Sequence, residues 1–156
     1  MNKYSGLNYG IIGNCKSSAL INEDSSIDWC CLPQFDSSSV FCKIIDSKNG
    51  GSFKIDCDPS FKVSQKYLEK TAILITNFDN GKSEFDVVDF MPRYKNEDNN
   101  FYSPPEIQRI IIPKKGVPSI KILFDPKLNY AIGKTEKYIK EKFIVSVLDD
   151  SSYETL

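Results

Sequence analysis

Histidine is absent from the 156 residues, and that absence removes more chemistry than any other feature of the chain. No Ser-His-Asp or Cys-His catalytic pair can form, and no histidine-bearing metal site. Cysteines are few and poorly spaced for their usual structural roles: five occur, at 15, 30, 31, 42 and 57, with no C-x-x-C. A zinc cluster needs spacings this pattern lacks, and a secreted disulfide framework usually carries an even number. They read as free thiols packed like small apolar side chains, so a reducing, cytoplasmic setting is expected. A charge excess is also missing. Twenty Lys plus Arg face 21 Asp plus Glu, a net charge of −1, which argues against nucleic acid as a partner. No apolar run approaches the roughly 18 residues of a membrane span, and residues 1–13 lack the apolar stretch of a signal peptide. Neither a membrane partner nor secretion is expected.

What remains is a globular composition, 40% hydrophobic and 26% charged, on a chain the length of one ordinary domain. A chain of about 150 residues buries roughly 68–70% of its unfolded surface, enough for a core without staples. Period-2 alternation dominates: Ile27, Trp29 and Cys31 against Asp28 and Cys30, Phe53 and Ile55 about Lys54, Ile120, Ile122 and Phe124 about Lys121. Such alternation places every second side chain on one face of a sheet. The runs TAILITN (71–77) and IQRIII (107–112) are rich enough in β-branched residues to predict more deeply buried strands. Turn chemistry at Asn22–Ser25, Asn49–Gly51, Asp79–Gly81 and Pro113–Gly116 separates them, as in an antiparallel sandwich. One segment reads as helical: after Ser37, Ser38 and Ser39, the side chains of Val40, Phe41, Ile44 and Ile45 fall on one helical face. Residues 95–105 predict a polar exposed loop, and residues 134–142 a solvated strand or loop.

Carboxylates are the strongest acid–base groups available. Asp28, Asp36, Asp86 and Asp89 lie in or beside strands. A glycosidase needs two of them facing each other, about 5–5.5 Å apart for retention or about 6.5–9.5 Å for inversion. Asp86 and Asp89 are an odd number of positions apart, so an unbroken strand points them to opposite faces. They read as outward-facing strand carboxylates. Trp29, the sole tryptophan, reads as core rather than as a sugar-stacking platform, and Arg93 and Arg109 as surface or strand-pair residues. Gly6, Gly10 and Gly13 do not match a phosphate-binding loop.

Residues 26–41 (SIDWCCLPQFDSSSVF) resemble the N-terminal signature of prokaryotic glycoside hydrolase family 15, roughly S-I-D-W-L-C-L-P-R-F-D-S-P-S-V-F. The resemblance continues through Y-G-I-I-G-N (9–14), G-G-S-F-K-I (50–55), the stretch 65–92 ending in V-V-D-F-M-P, Gln108-Arg109 and Phe124-Asp125-Pro126. Gln34 departs from the family's frequent Arg, which bears on any ion pair made there across a domain interface, and Ser25 replaces a turn glycine. Members include glucoamylases, glucodextranases and trehalases, with an N-terminal β-sandwich followed by an (α/α)6 barrel that holds two catalytic glutamates. The resemblance implies an all-β, antiparallel, supersandwich-like fold with one short helix, a single domain over residues 1–156, and no barrel. It carries no catalytic residue, cofactor or metal ligand onto this chain.

The absent catalytic barrel is the partner this reading implies, with Trp29, Gln34, Phe35, Asp36 and Phe41 as the interdomain docking residues. The parent substrate stays open between a starch-like or other α-glucan, a dextran-like chain and trehalose. A free-standing carbohydrate-binding or structural interaction module is the alternative. The chain ends a few residues after the strand at 143–148, so C-terminal truncation is expected, and with it a homodimer formed by edge pairing of that strand.

Overall fold

The computed structural model describes residues 8–148 and 154–155, and strands dominate them. In chain order they are β1 (Tyr9–Gly13), β2 (Ser18–Asn22), β3 (Ile27–Cys31), β4 (Ser39–Phe41), β5 (Ser52–Cys57), β6 (Lys62–Tyr67), β7 (Leu74–Asp79) and β8 (Glu84–Phe90). There follow β9 (Tyr94–Lys95), β10 (Phe101–Tyr102), β11 (Gln108–Lys115), β12 (Ile120–Asp125), β13 (Thr135–Lys140), β14 (Phe143–Leu148) and β15 (Glu154–Thr155). All pair antiparallel. One sheet runs β1-β2-β3-β5-β12 with β4 also on β3, and a second runs β11-β8-β7-β6. The β9–β10 hairpin and a three-stranded β13-β14-β15 sheet complete the set.

The alternation seen in the sequence becomes a two-layer core. One apolar cluster joins Ile12, Ala19, Ile21, Ile27, Cys30 and Phe41 of the first sheet to Leu74 of the second. Another sets Ile55 against Phe78, Phe85 and Val87, with Phe78 and Phe85 stacked at 4.7 Å between centroids. The tight turns also form as their residues dictate. Gly116 has φ +64°, and a Cβ there would stand 2.6 Å from the Lys82 carbonyl oxygen.

Several expectations need correction. Residues 37–45 are not a helix: β4 lies along β3, pairing Ser39 with Cys31 and Phe41 with Cys30, and Val40, Phe41 and Cys42 are all buried. Only the backbone bonds from Ile45 and Asp46 to the Cys42 carbonyl preserve a single helical turn. Consecutive buried side chains won over the 3.6-residue period, because layers close on this stretch from both sides. Trp29 does not share a face with Ile27. The β2–β3 register shifts between Leu20 and Ile21, placing Asp28 in a bulge, so Ile27 and Cys30 point into the core while Trp29 is half-buried outside it. β11 is an edge strand with Ile110 and Ile112 exposed, not a deeply buried one. Cys15 is exposed rather than packed, although Cys30, Cys31 and Cys42 are buried as expected and all five thiols are free.

Where an exposed polar loop is expected over residues 95–105, the β9–β10 hairpin spans residues 94–102 and is followed by the buried Ser103 and Pro104, while β13 is the solvated strand expected over residues 134–142. Strand 143–148 forms as β14, but it is central: β13 pairs along its length and β15 pairs at Ser146 and Val147. The turn expected after it lies outside the described residues.

A buried ion pair ties the two large sheets together. Arg109 of β11 sits in register opposite Asp89 of β8, and donates from Nε to Oδ1 (2.7 Å) and from Nη2 to Oδ2 (3.1 Å). Its other donors cross to the first sheet, Nη1 to the Phe53 carbonyl (2.9 Å) and Nη2 to the Ser25 carbonyl (2.8 Å). The guanidinium also lies 4.7 Å from the centre of the Phe53 ring. Burial pushes the Asp89 carboxyl up, and the bonds from Arg109 pull against it. Removing one member of such a pair leaves the other charge buried and unpaired. Asp89→Ala should therefore lower unfolding free energy by about 3–5 kcal/mol in a denaturant titration. Replacing Arg109 by Met in the same chain should restore part of that loss, and a loss under about 1 kcal/mol for Asp89→Ala alone would contradict the assignment.

Candidate functional site

The signature segment folds into two unlike halves. Its first half supplies β3 and the buried Asp28, which is a fully engaged structural carboxylate. Asp28 accepts from Ser26 Oγ (2.5 Å), Tyr9 Oη (3.1 Å) and Asn22 Nδ2 (3.2 Å), with Lys43 Nζ at 3.5 Å. Its second half leaves the sheet at a cis Leu32–Pro33 peptide and makes a tight turn. Ser37 closes this turn twice: its N–H donates to the Gln34 carbonyl (3.1 Å) and its Oγ accepts from the Gln34 N–H (3.1 Å). Gln34, Phe35 and Asp36 are thereby all exposed, Phe35 at 61%.

This loop belongs to a larger end of the sandwich built around the buried Asn14. The Phe35 N–H donates to the Lys16 carbonyl (3.0 Å), and Asn14 Oδ1 accepts from the N–H groups of Lys16 and Ser17 (both 3.1 Å). Asn14 Nδ2 donates to the Pro104 carbonyl (2.8 Å), and Ser103 Oγ donates to the Asn14 carbonyl (2.8 Å). The Asn14 amide thus ties its own turn to the 103–104 segment, and Lys16 of that turn holds the 33–38 loop. The β9–β10 hairpin leading into Ser103 exposes Tyr94, Phe101 and Tyr102, with Arg93 4.1 Å above the Phe101 ring centre. On the other side, Tyr130 Oη reaches the Ser37 carbonyl (3.4 Å) from a turn in which Asn129, Tyr130 and Ala131 all have φ between 52° and 61°. Three consecutive left-handed residues cost roughly 1–2 kcal/mol each, and such strain persists where the surroundings over-determine it.

The expected docking set is thus divided. Gln34, Phe35 and Asp36 come together on the exposed loop. Trp29 is half-buried on the outer side of β3, and Phe41 is core, 4% exposed and edge-on to Phe124 at 5.9 Å. The exposed aromatics Tyr94, Phe101, Tyr102 and Tyr130 escaped sequence reasoning, although the first three, close to Arg93 and to two prolines, are a readable signal.

The remaining carboxylates are structural as well. Asp86 and Asp89 do lie on opposite faces of β8, but only Asp86 faces outward. It accepts from Asn77 Nδ2 (2.7 Å) and pairs with Lys114 Nζ (2.8 Å). Burial raises the Asp86 carboxyl, yet the bonds from Lys114 and Asn77 outweigh it and hold the group below the ordinary carboxylate range. Among the described residues no group of three or more Cys, Asp or Glu could hold a metal ion, and no helix is long and apolar enough to cross a membrane.

Two predictions follow from this geometry. A folded pKa below the unfolded value makes the Asp86–Lys114 contribution present above about pH 4 and lost as pH falls through the folded value. Lys114→Met should therefore destabilise the chain at neutral pH, with the difference from the parent vanishing in acid; a difference independent of pH would contradict the pairing. Phe35→Ser should change unfolding free energy by no more than about 0.5 kcal/mol, whereas Phe41→Ala should cost about 3–5 kcal/mol in chemical denaturation. Equal costs would show that the loop is part of the core.

Comparison with known proteins meets the same stretch of chain. The family model described as "Trehalase-like, N-terminal" matches residues 8–146. A trehalase of Thermoplasma volcanium is 37% identical over 125 residues, covering 78% of this chain and 20% of that protein. A trehalase of Thermoplasma acidophilum is 40% identical over 116 residues, covering 72% of this chain and 19% of its own length. Trehalase 2 of Sulfolobus acidocaldarius is 42% identical over 86 residues, 55% of this chain and 14% of that protein. The chain thus spans between a tenth and a fifth of the length of the curated relatives it matches. No solved structure matches it. A family model aligned from β1 into β14, together with these trehalases, establishes that the chain belongs to the trehalase-like N-terminal domain family.

Proposed function

We propose that residues 1–156 act as one non-catalytic β-sandwich domain of a trehalase-like glycoside hydrolase of family 15 type. Its loop at 33–38 is the face turned toward an (α/α)6 catalytic partner. The observation that carries this reading is the coverage: the family model takes in residues 8–146, and the match to the Thermoplasma volcanium trehalase takes in 78% of this chain but only 20% of that protein, leaving four fifths of such an enzyme for catalysis. The local chemistry agrees. Asp28, Asp86 and Asp89 are each held by hydrogen bonds or cations inside the scaffold, so none of them is poised as a general acid or base. Exposed Phe35 between Gln34 and Asp36, with the exposed Tyr130 reaching the Ser37 carbonyl, has the composition of an interface centre with a polar rim. The relatives' names favour trehalose over starch-like or dextran-like glucans as the substrate of the whole enzyme. Five free thiols suit a cytoplasmic, reducing setting.

The alternative of a free-standing sugar-binding module has less support. Tyr94 and Tyr102 meet at 64° rather than lying coplanar, and Arg93 covers one face of Phe101, so the β9–β10 hairpin offers a poor platform for a sugar ring. The chain alone should release no glucose from trehalose, maltose or dextrin. Trehalose added at millimolar concentration should leave the amide resonances of residues 33–38 and 94–102 in place. Glucose release abolished by a single Asp substitution in this chain would overturn the reading, and saturable trehalose shifts in those loops would favour the sugar-binding alternative.

A further inference from the structure

Asparagine is followed by glycine at two places, Asn49-Gly50 and Asn80-Gly81, and the fold treats them in opposite ways. In such a step the glycine nitrogen can attack the preceding side-chain amide and close a succinimide ring, because glycine puts no Cβ in the way. Closure is helped by a base on the glycine N–H, by donors to the side-chain oxygen that becomes an anion, and by room for the ring.

The turn between β7 and β8 supplies all of these at Asn80. The Gly81 N–H donates to Asp79 Oδ1 (2.7 Å), so a carboxylate already holds the proton that must leave. Asn80 Oδ1 accepts from the N–H groups of Lys82 (3.0 Å) and Ser83 (2.8 Å), the distances at which paired backbone donors stabilise a developing oxyanion. The other atom of the amide, Nδ2, rests on Ser60 Oγ (3.3 Å). Gly81 is exposed with φ +80°, and a Cβ there would meet nothing within 4 Å. Asn49 has the reverse arrangement. The Gly50 N–H donates to the Asp46 main-chain carbonyl (2.8 Å), while the Asp46 carboxylate is occupied by Asn49 Nδ2 (2.9 Å). Among the described residues no N–H is donated to Asn49 Oδ1. Gly50 is buried, and a Cβ there would stand 2.3 Å from the Cys42 carbonyl oxygen and 2.6 Å from that of Asp46.

We infer that Asn80-Gly81 is a self-modification site, at which the folded turn converts Asn80 to aspartate and isoaspartate with Asp79 as the base. The Gly81 nitrogen bonds to Asn80 Cγ as Asp79 takes its proton, and the charge on Oδ1 falls between the Lys82 and Ser83 N–H groups. The Cγ–Nδ2 bond then breaks, and ammonia leaves with the proton that Asp79 held, which regenerates the carboxylate. Water opens the ring at one carbonyl or the other, leaving aspartate or isoaspartate at position 80. The isoaspartate form reroutes the main chain through the side-chain carbon. It does so in a turn that β11 clasps, where Lys115 Nζ donates to the Gly81 carbonyl (2.5 Å) and Gly116 packs on Lys82 and Ser83. The modification therefore loosens that end of the second sheet, far from the 33–38 loop.

Peptide mapping by mass spectrometry, with aspartate and isoaspartate resolved, tests this on the purified chain held at neutral pH either folded or in urea. In the folded chain Asn80 should convert about tenfold or more faster than Asn49. Urea removes both geometries and should bring the two rates together. Asp79→Asn keeps an acceptor for the Gly81 N–H but removes the base. It should slow conversion at position 80 about tenfold or more, with Asn49 and thermal unfolding unchanged. Conversion of Asn80 no faster than that of Asn49 in the folded chain overturns the inference. A preference for Asn80 that persists undiminished in urea overturns it too, since the fold would then contribute nothing, and so does a rate indifferent to Asp79→Asn.

Discussion

The bidentate pair between Arg109 and Asp89 is the contact on which the sandwich depends. Apolar burial holds two sheets together without fixing how they lie on each other, because hydrophobic attraction has no direction. The guanidinium adds direction: two donors are spent on a carboxylate of its own sheet and two on carbonyls of the other. Both side chains are almost wholly buried, so any slip between layers would strand a charge in the core. The Ser25 carbonyl that receives one of these bonds belongs to the turn that launches β3. The register of β3, and the bulge that hides Asp28, are therefore set partly from the opposite sheet.

From that scaffold the route to the exposed loop is short. β3 runs from the pinned turn to the cis Leu32–Pro33 peptide, and the chain then leaves the core for the four exposed residues 33–36 before returning as the buried β4. Asn14 fixes the loop's neighbours by the same economy, one buried residue joining its own turn to the 103–104 segment. Function in such a domain resides in what the rigid part holds outward. The structure holds out Gln34, Phe35 and Asp36, and keeps Phe41 in the core.

Much of this was legible in the sequence, and the failures have physical causes. The antiparallel β class followed from period-2 runs and turn residues, as at Asp79–Gly81 between β7 and β8 and at Gly116. The helix assigned to 37–45 failed because Val40, Phe41 and Cys42 are buried on successive positions, a pattern that periodicity cannot separate from half a helical face. Trp29 lies outside the core expected for it because one extra residue in a strand inverts every side chain after it, and nothing local to 27–31 announces the bulge. Arg109 and Asp89 stood in matched motifs, but their pairing is set by the register between β8 and β11, and the bonds to Ser25 and Phe53 by packing between sheets. No spacing along the chain encodes those distances. Asn14 was invisible for the same reason, since its partners lie some 90 positions away.

The central claim is that the two sheets form one cooperative scaffold, joined through Arg109, from which the 33–38 loop is held out. Native-state hydrogen exchange across a denaturant series tests it most directly. Amides of β5, β8 and β11 should exchange only through a common opening equal to global unfolding, while the exposed part of residues 33–38 exchanges by local fluctuation far below it. If β8 and β11 open together at markedly lower free energy than β5, the sheets are separate units, and the account given for the ion pair is wrong.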